Sequence, residues 1–494
     1  MSRKAVVIGA GFSGLAAATT LASHHYDVTV IEKNATPGGR ARKFVADGFT
    51  FDMGPSWYWM PDVIESYFNR FGSQVSDFYT LKRLDPSYKI FFGKDDSISL
   101  PGSIDGMVDL FESLETGSGI KLRKFLSEAE YKYTVGMTEF VYNPSYTILN
   151  YLSPKLALSG LRMHLFTSFY SYIRRFFKNP RILQMLEFPI LFLGGTARST
   201  PAMYSLMNYG DIALGTWYPM GGMYKIIEGM VNLAASKGVK FEYNQPIEGF
   251  DIANGKITAA RTADSSFSAG VIVGSADYHH IEQTLLPEAF RQYSPAYWDS
   301  RVLSPSALIY YIGINKKLKN LEHHNLFFDQ DFEPHADTIY KNPSWPENPS
   351  FYVCCVTATD TSQAPDGHEN LFVLVPVAPG IEDTIEIREH YYSLLMDRME
   401  HITGEHIKEH VVFKQSYAHK DFERDYHAYK GNAYGLANTL RQTAFLKPSL
   451  RSRKLSNLFY TGQLTVPGPG VPPALISGQV AGDEIARILG GGMK

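Results

Sequence analysis

The chain has 494 residues, 44% of them hydrophobic and 20% charged, which is too long for one hydrophobic core and too apolar for a disordered or fibrous protein. Its formal net charge of -3 lacks the basic excess on which nucleic-acid binding depends, so no nucleic-acid partner is expected. Cys354 and Cys355 are adjacent, an arrangement that suits neither a mutual disulfide nor a metal site and points to a reducing compartment.

Lys4 to Ile8 is a short apolar run that predicts a buried parallel strand, followed by a glycine-rich turn and a helix from Leu15 to Leu21. Asp27 to Ile31 predicts a second buried strand ending at Glu32, which closes a βαβ unit. The first strand leaves no room for a secretory signal, and no stretch reaches the roughly 18 apolar residues of a membrane span, so a cytoplasmic protein is expected. Residues 101–139 read as amphipathic helix. From Phe140 to Leu186 there is no Asp or Glu, while Lys155, Arg162, Arg174, Arg175, Lys178 and Arg181 mingle with ten Phe and Tyr. A helix over Tyr224 to Ser236 and strands about the turn Asn254-Gly255 then resume an α/β rhythm. Ala307 to Ile312 and Leu371 to Val375 predict strands of a sheet, and Asn457 to Leu489 reads as strand, glycine-proline loop and helix.

The turn Gly9-x-Gly11-x-x-Gly14 carries the first chemistry. The first glycine permits a tight turn, the second lets backbone approach a pyrophosphate, and the third lets the helix pack on the strand. Its helix N-terminus would face the phosphates. Glu32 stands where a carboxylate accepts from adenosine ribose hydroxyls, which marks a dinucleotide without a 2′-phosphate. NAD and FAD proteins share this turn. Gly38-Gly39-Arg40 places an arginine fork beside the pyrophosphate, and Thr461-Gly462-Gln463 with Gly468 to Pro473 supplies a late loop and helix start. A flavin, whose ribityl chain and ring need such a return of the chain, explains both, so FAD is the expected cofactor.

With these residues the chain resembles the flavin-dependent carotenoid desaturases of the bacterial phytoene desaturase family. The resemblance is carried by Val7 to Gly14, Ile31 to Arg42, Phe51 to Ser56, Trp217 to Gly222 and Asn457 to Gly482. Where the family has alanine-glycine-threonine-histidine, this chain has Gln463-Leu464-Thr465-Val466. The resemblance implies an α/β fold: a Rossmann-like FAD-binding domain from 1–110, 220–290 and 415–494, a helical lobe at 111–219 and a mixed-sheet substrate domain at 291–414. It implies that FAD is held by Gly9, Gly11, Phe12, Ser13, Gly14, Glu32, Lys33, Gly38, Gly39, Arg40, Gly54, Pro55, Ser56, Ile247, Gly462, Gln463, Gly470, Val471 and Pro472. It also implies a linear carotenoid substrate, with phytoene the first choice, converted stepwise towards lycopene by hydride transfer from an allylic carbon to flavin. Oxygen or a membrane quinone would take the electrons.

A hydrocarbon polyene offers no polar handle, so an apolar tunnel lined by aromatic rings is expected, with Trp57, Tyr58, Trp59, Trp217 and Tyr218 as its candidate lining. The cofactor carries the hard chemistry, and no triad or metal cluster is expected. Asp52, Asp62, Glu65 and Asp211 are the candidates for receiving a proton, each weighed against a role as cap or surface carboxylate. The acid-free segment suits peripheral docking on a membrane, its basic groups meeting head groups while Phe166, Phe169, Phe176 and Phe177 enter the interface. The competing reading is a packed helical lobe with a solvated basic face. Among other functions, a flavin amine oxidase shares the N-terminal turn, but neither cysteine is near the C-terminal loop for a thioether to flavin. A later-pathway hydroxycarotenoid 3,4-desaturase or terminal-methyl oxidase shares the whole pattern, and a redox-neutral carotenoid cis/trans isomerase is a further alternative.

Overall fold

Five short apolar runs come together as one parallel sheet in a computed structural model that describes residues 3–147, 163–165, 167–191, 195–439 and 442–490. Strand β1 (Lys4–Ile8) sits between β2 (Asp27–Ile31) and Val271–Gly274, with Lys240–Glu242 and Leu458–Tyr460 at the edges. Alternation along β1 explains how both faces are covered. Ala5 and Val7 pack on helix α1 (Phe12–Ser23), while Val6 and Ile8 pack towards an antiparallel sheet of Gly249–Ala253, Lys256–Arg261 and Ser266–Ser268. Across α1 runs the C-terminal helix Val471–Gly490, so close that a Cβ on Gly478 would lie 2.1 Å from the Ser13 carbonyl oxygen. The two ends of the chain thus build one lobe.

The second sheet has seven strands in the order Val411–Tyr417, Ser306–Ile314, Glu369–Val377, Phe351–Cys355, His324–Phe327, Tyr88–Gly93 and Asp96–Leu100. All neighbours are antiparallel except His324–Phe327 beside Tyr88–Gly93. It therefore recruits two strands from residues that the sequence groups with the dinucleotide-binding lobe. The nine-residue strand Ser306–Ile314 is buried along its whole length. Leu308, Tyr310 and Ile312 pack towards helix Ile385–Thr403, and Ala307, Ile309 and Tyr311 face the other way, into the core shared with the first lobe.

Helices Ile104–Leu114, Ser118–Val135, Phe169–Ile173 and Pro180–Leu191 occupy the stretch expected to form a helical lobe, and their buried faces join the same core as Ile309 and Tyr311. Two of the rings expected at a membrane interface are instead core. Phe169 and Phe177 are fully buried, with Phe177 edge-on to Phe111 and Phe125. Arg174 and Arg181 are paired 2.7 Å from Glu187 and Asp96. The segment is free of acids in sequence but not in space, because neighbouring elements bring carboxylates to it. Lys155, Arg162 and Phe166 lie outside the described residues. Among the described residues no helix is long and apolar enough to cross a membrane.

Candidate functional site

The C-terminal ends of the parallel strands open into a cavity of about 450 Å³. Gly9, Gly11, Phe12 and Ser13 enter it from the turn after β1, and Glu32 and Lys33 from the end of β2. Glu32 is buried, and its carboxylate accepts from the backbone N–H of Ala10 at 2.8 Å and of Asn34 at 2.9 Å. These bonds fix the carboxylate at the rim where a ribose would lie. Gly14 does not line the cavity but sets the approach of α1 to the turn, since a Cβ there would lie 2.0 Å from the Gly9 carbonyl oxygen.

Gly38, Gly39 and Arg40 line the same cavity, with Gly54, Pro55, Ser56, Ile247, Gly462, Gln463, Gly470, Val471 and Pro472. Arg40 is held at the cavity wall: one guanidinium nitrogen donates to the Asn432 carbonyl at 3.2 Å, and the group lies over the Tyr426 ring at 5.2 Å. Its Nε and the Thr461 hydroxyl are buried without a hydrogen-bond partner among the described residues. Unpartnered donors at a glycine-rich strand end fit an anionic dinucleotide that would complete them. Asp277, absent from the sequence-based set, also lines the site; burial pushes its carboxyl up to about 6 against the pull of Arg40. It follows the strand Val271–Gly274 by three residues and caps the short helix Tyr278–His280, so it reaches the C-terminal edge of the sheet beside Gly9, a place the strand pattern alone marks.

Past Ser56 the cavity wall becomes aromatic. Trp57 and Trp59 line it, 5.0 Å apart between ring centres, together with Phe188, Phe328 and Tyr352. Tyr58, Trp217 and Tyr218 do not. The backbone is extended here and Tyr58 bridges Trp217, so alternate side chains face opposite ways. Tyr58 meets the Tyr79 hydroxyl at 2.9 Å, the Trp217 indole donates to the Leu214 carbonyl, and the Tyr218 hydroxyl donates to Asp360. Phe188 comes from a helix, Phe328 from just past the strand His324–Phe327 and Tyr352 from the strand Phe351–Cys355, all distant in sequence, and nothing local marks them.

None of the four acidic candidates lines the main cavity. Asp62 accepts from the Tyr133 hydroxyl at 2.8 Å and Glu65 from the Val75 N–H at 3.3 Å, both on helix Pro61–Arg70. Asp52 accepts from the N–H groups of Met223 and Tyr224, at the start of helix Tyr224–Ser236, and burial pushes its carboxyl up to about 6. Asp211 is buried with the Tyr88 hydroxyl donating to it at 2.8 Å, and burial pushes it up to about 7. Asp211 is thus a buried acid, and Asp52 a half-buried one that accepts from the start of a helix and lines a second, smaller cavity.

The profile of the family described as flavin containing amine oxidoreductase matches residues 12–486. A carotenoid 3,4-desaturase from Haloarcula japonica is 41% identical over 475 residues, which cover 96% of each chain. A zeta-carotene-forming phytoene desaturase from Myxococcus xanthus is 30% identical, covering 98% of this chain and 94% of that one. The solved structure of an oxidoreductase from Methanosarcina mazei shares the fold with a TM-score of 0.62 at 17% identity, covering 96% of this chain and 98% of that one. A strand-end cradle with orphaned donors, closed by both ends of the chain, and a profile match across nearly its whole length make this protein a member of the flavin containing amine oxidoreductase family.

Proposed function

We propose that the protein is an FAD-dependent desaturase of linear carotenoids. The observation that carries this is the single cavity joining the dinucleotide cradle to a wall of Trp57, Trp59, Phe188 and Phe328. The residues fit FAD: the Arg40 fork suits its pyrophosphate, Glu32 its ribose, and the Gly462 and Gly470 to Pro472 backbone its remaining length. Bound there, FAD supplies the two-electron acceptor that takes a hydride from an allylic carbon. The protein's part is to bury the polyene by apolar contact, to align one bond and to exclude water. The aromatic faces also favour positive charge that develops along the chain. Oxygen or a membrane quinone would complete the cycle.

Two substrates divide the reading. Phytoene is expected from the sequence; the 41% identity to a carotenoid 3,4-desaturase, against 30% to a phytoene desaturase, favours the later-pathway alternative. Anaerobic mixing of the flavin-loaded protein with phytoene and with an acyclic downstream carotenoid tests both. A desaturase bleaches the oxidised flavin band and yields a product with a longer chromophore. Bleaching by a polyamine but by neither polyene would reassign the protein to amine oxidation, and isomerised product over oxidised flavin would make it an isomerase. The same reading includes a peripheral membrane contact through the helical lobe, for which the described residues offer the exposed Arg175 and Lys178 beside the half-buried Phe176.

A further inference from the structure

Cys354 has partners in space that the sequence hides. Pairing of His324–Phe327 with Phe351–Cys355 sets His324 directly opposite Cys354, and His323 precedes it. One donor atom from each of His323, His324 and Cys354 lies within 4.8 Å of the others, and all three residues are buried. Each imidazole is held from behind: His323 Nδ1 is 2.8 Å from the Thr359 hydroxyl, and His324 Nδ1 is 2.7 Å from the Tyr352 hydroxyl. Both Nε2 atoms are buried with no hydrogen-bond partner among the described residues. Unpaired buried nitrogens are rare in native folds, and two on adjacent histidines call for a ligand.

We propose that His323, His324 and Cys354 bind one divalent transition-metal ion, with Zn²⁺ the ion that best suits the donors. Two imidazoles and a thiolate select Zn²⁺ over Mg²⁺ or Ca²⁺, which take oxygen ligands. Hydroxyl partners on the outer ring nitrogens are the second layer that orients metal-binding histidines. Ligand atoms around a tetrahedral ion stand roughly 3.3–3.8 Å apart, so binding draws the three donors together by about 1 Å. Cys354 loses its thiol proton on coordination. Beside the cluster a second cavity of about 30 Å³, walled in part by His323, Cys354 and Ser56, has room for one water as a fourth ligand.

The site stands behind the wall of the main cavity. His324 stacks on Trp57 at 3.9 Å and 11°, and the Tyr352 hydroxyl donates to Ser56 Oγ at 3.0 Å. Trp57, Ser56 and Tyr352 all line the main cavity, so a bound ion fixes the wall against which a substrate lies. The inference does not depend on which substrate that is.

The test uses the full-length, flavin-loaded protein, stripped with a chelator and titrated with Zn²⁺ and then Co²⁺. Expected are one ion per chain, a higher melting temperature with Zn²⁺, and Co²⁺ ligand-field bands in the red, clear of flavin absorption. Cys354→Ser and His323→Gln should each weaken Zn²⁺ binding by about a hundredfold or more. Failure of the folded wild-type protein to take up Zn²⁺ at millimolar concentration overturns the proposal, whatever the variants do. Uptake that survives both substitutions unchanged places the ion elsewhere and overturns it equally.

Discussion

The two ends of the main cavity are built by different means. At the dinucleotide end, backbone does the work: short segments that follow strand ends converge because a parallel sheet brings its strand termini to one edge. Gly9 and Glu32 directly follow strands of one sheet, and Asp277 lies three residues past a third. At the aromatic end, side chains from a loop, a helix and a mixed sheet meet only after the long-range pairing is complete, as with Trp57, Phe188 and Tyr352. The first kind of site leaves no room for a Cβ at Gly14 or Gly54, where one would lie 2.0 and 2.4 Å from a backbone oxygen. The second should tolerate many exchanges, and its weak points are buried polar groups.

The largest effect should come from the backbone end. In Gly14→Val the new Cβ would lie 2.0 Å from the Gly9 carbonyl oxygen, a backbone atom that cannot swing aside. The expected loss is about 4 kcal/mol or more, enough to leave little folded protein with bound flavin. Flavin content per chain and a urea midpoint measure it. A soluble, flavin-loaded G14V protein of ordinary stability would show the turn to be looser than so close a helix approach requires.

At the aromatic end the sharpest probe is Asp211, buried beside Tyr88 and held up to about 7 by burial. Its pKa is higher folded than unfolded, so below the unfolded value both states are protonated and nothing is lost. As pH rises towards about 7 the unfolded chain releases its proton first, and the native state loses stability. Raising a carboxyl from its ordinary range to about 7 costs at most about 4 kcal/mol once the pH passes that value. Asp52, Asp277 and Glu282 are raised in the same direction, so the wild-type curve sums several groups. The difference between wild type and Asp211→Asn isolates this one: the variant should gain on the wild type between about pH 4 and 7 in urea melts. Parallel curves would mean that Asp211 ionises freely in the folded protein.

The same contrast explains what could be read from sequence. Strands Lys4–Ile8, Asp27–Ile31 and Leu458–Tyr460 and helix Tyr224–Ser236 stand where the apolar pattern put them, since local burial dictates both. Every residue expected at the cofactor lines the cavity except Gly14, whose part is packing. The sequence presents Trp57 to Trp59 as one aromatic run, yet alternation about the Tyr58–Trp217 bridge turns Tyr58 away from Trp57 and Trp59, a rule the sequence itself contains. Phe188, Phe328 and the approach of Cys354 to His323 and His324 depend on register and helix docking, which no local window encodes.

The smallest predicted effect concerns the helical lobe, where the sequence-based picture changed most. With Phe169 and Phe177 in the core and Arg174 and Arg181 paired, Arg175, Lys178 and Phe176 are the members of the expected docking set that stay available among the described residues. A basic residue near an anionic surface contributes about 1 kcal/mol, so reversing both charges should weaken vesicle binding by at least roughly thirtyfold. Added salt should weaken the wild type in the same way, because the attraction is screened within about 10 Å at 0.1 M. Arg181→Glu serves as the control: it breaks a half-exposed ion pair worth no more than about 1 kcal/mol, and should leave the two docking residues in place. Co-sedimentation with vesicles rich in anionic lipid measures all three. If the wild-type protein stays in solution at low salt, or if the double reversal binds as well as the parent, the lobe is a packed helical layer whose basic face meets water, and the polyene reaches the cavity without it.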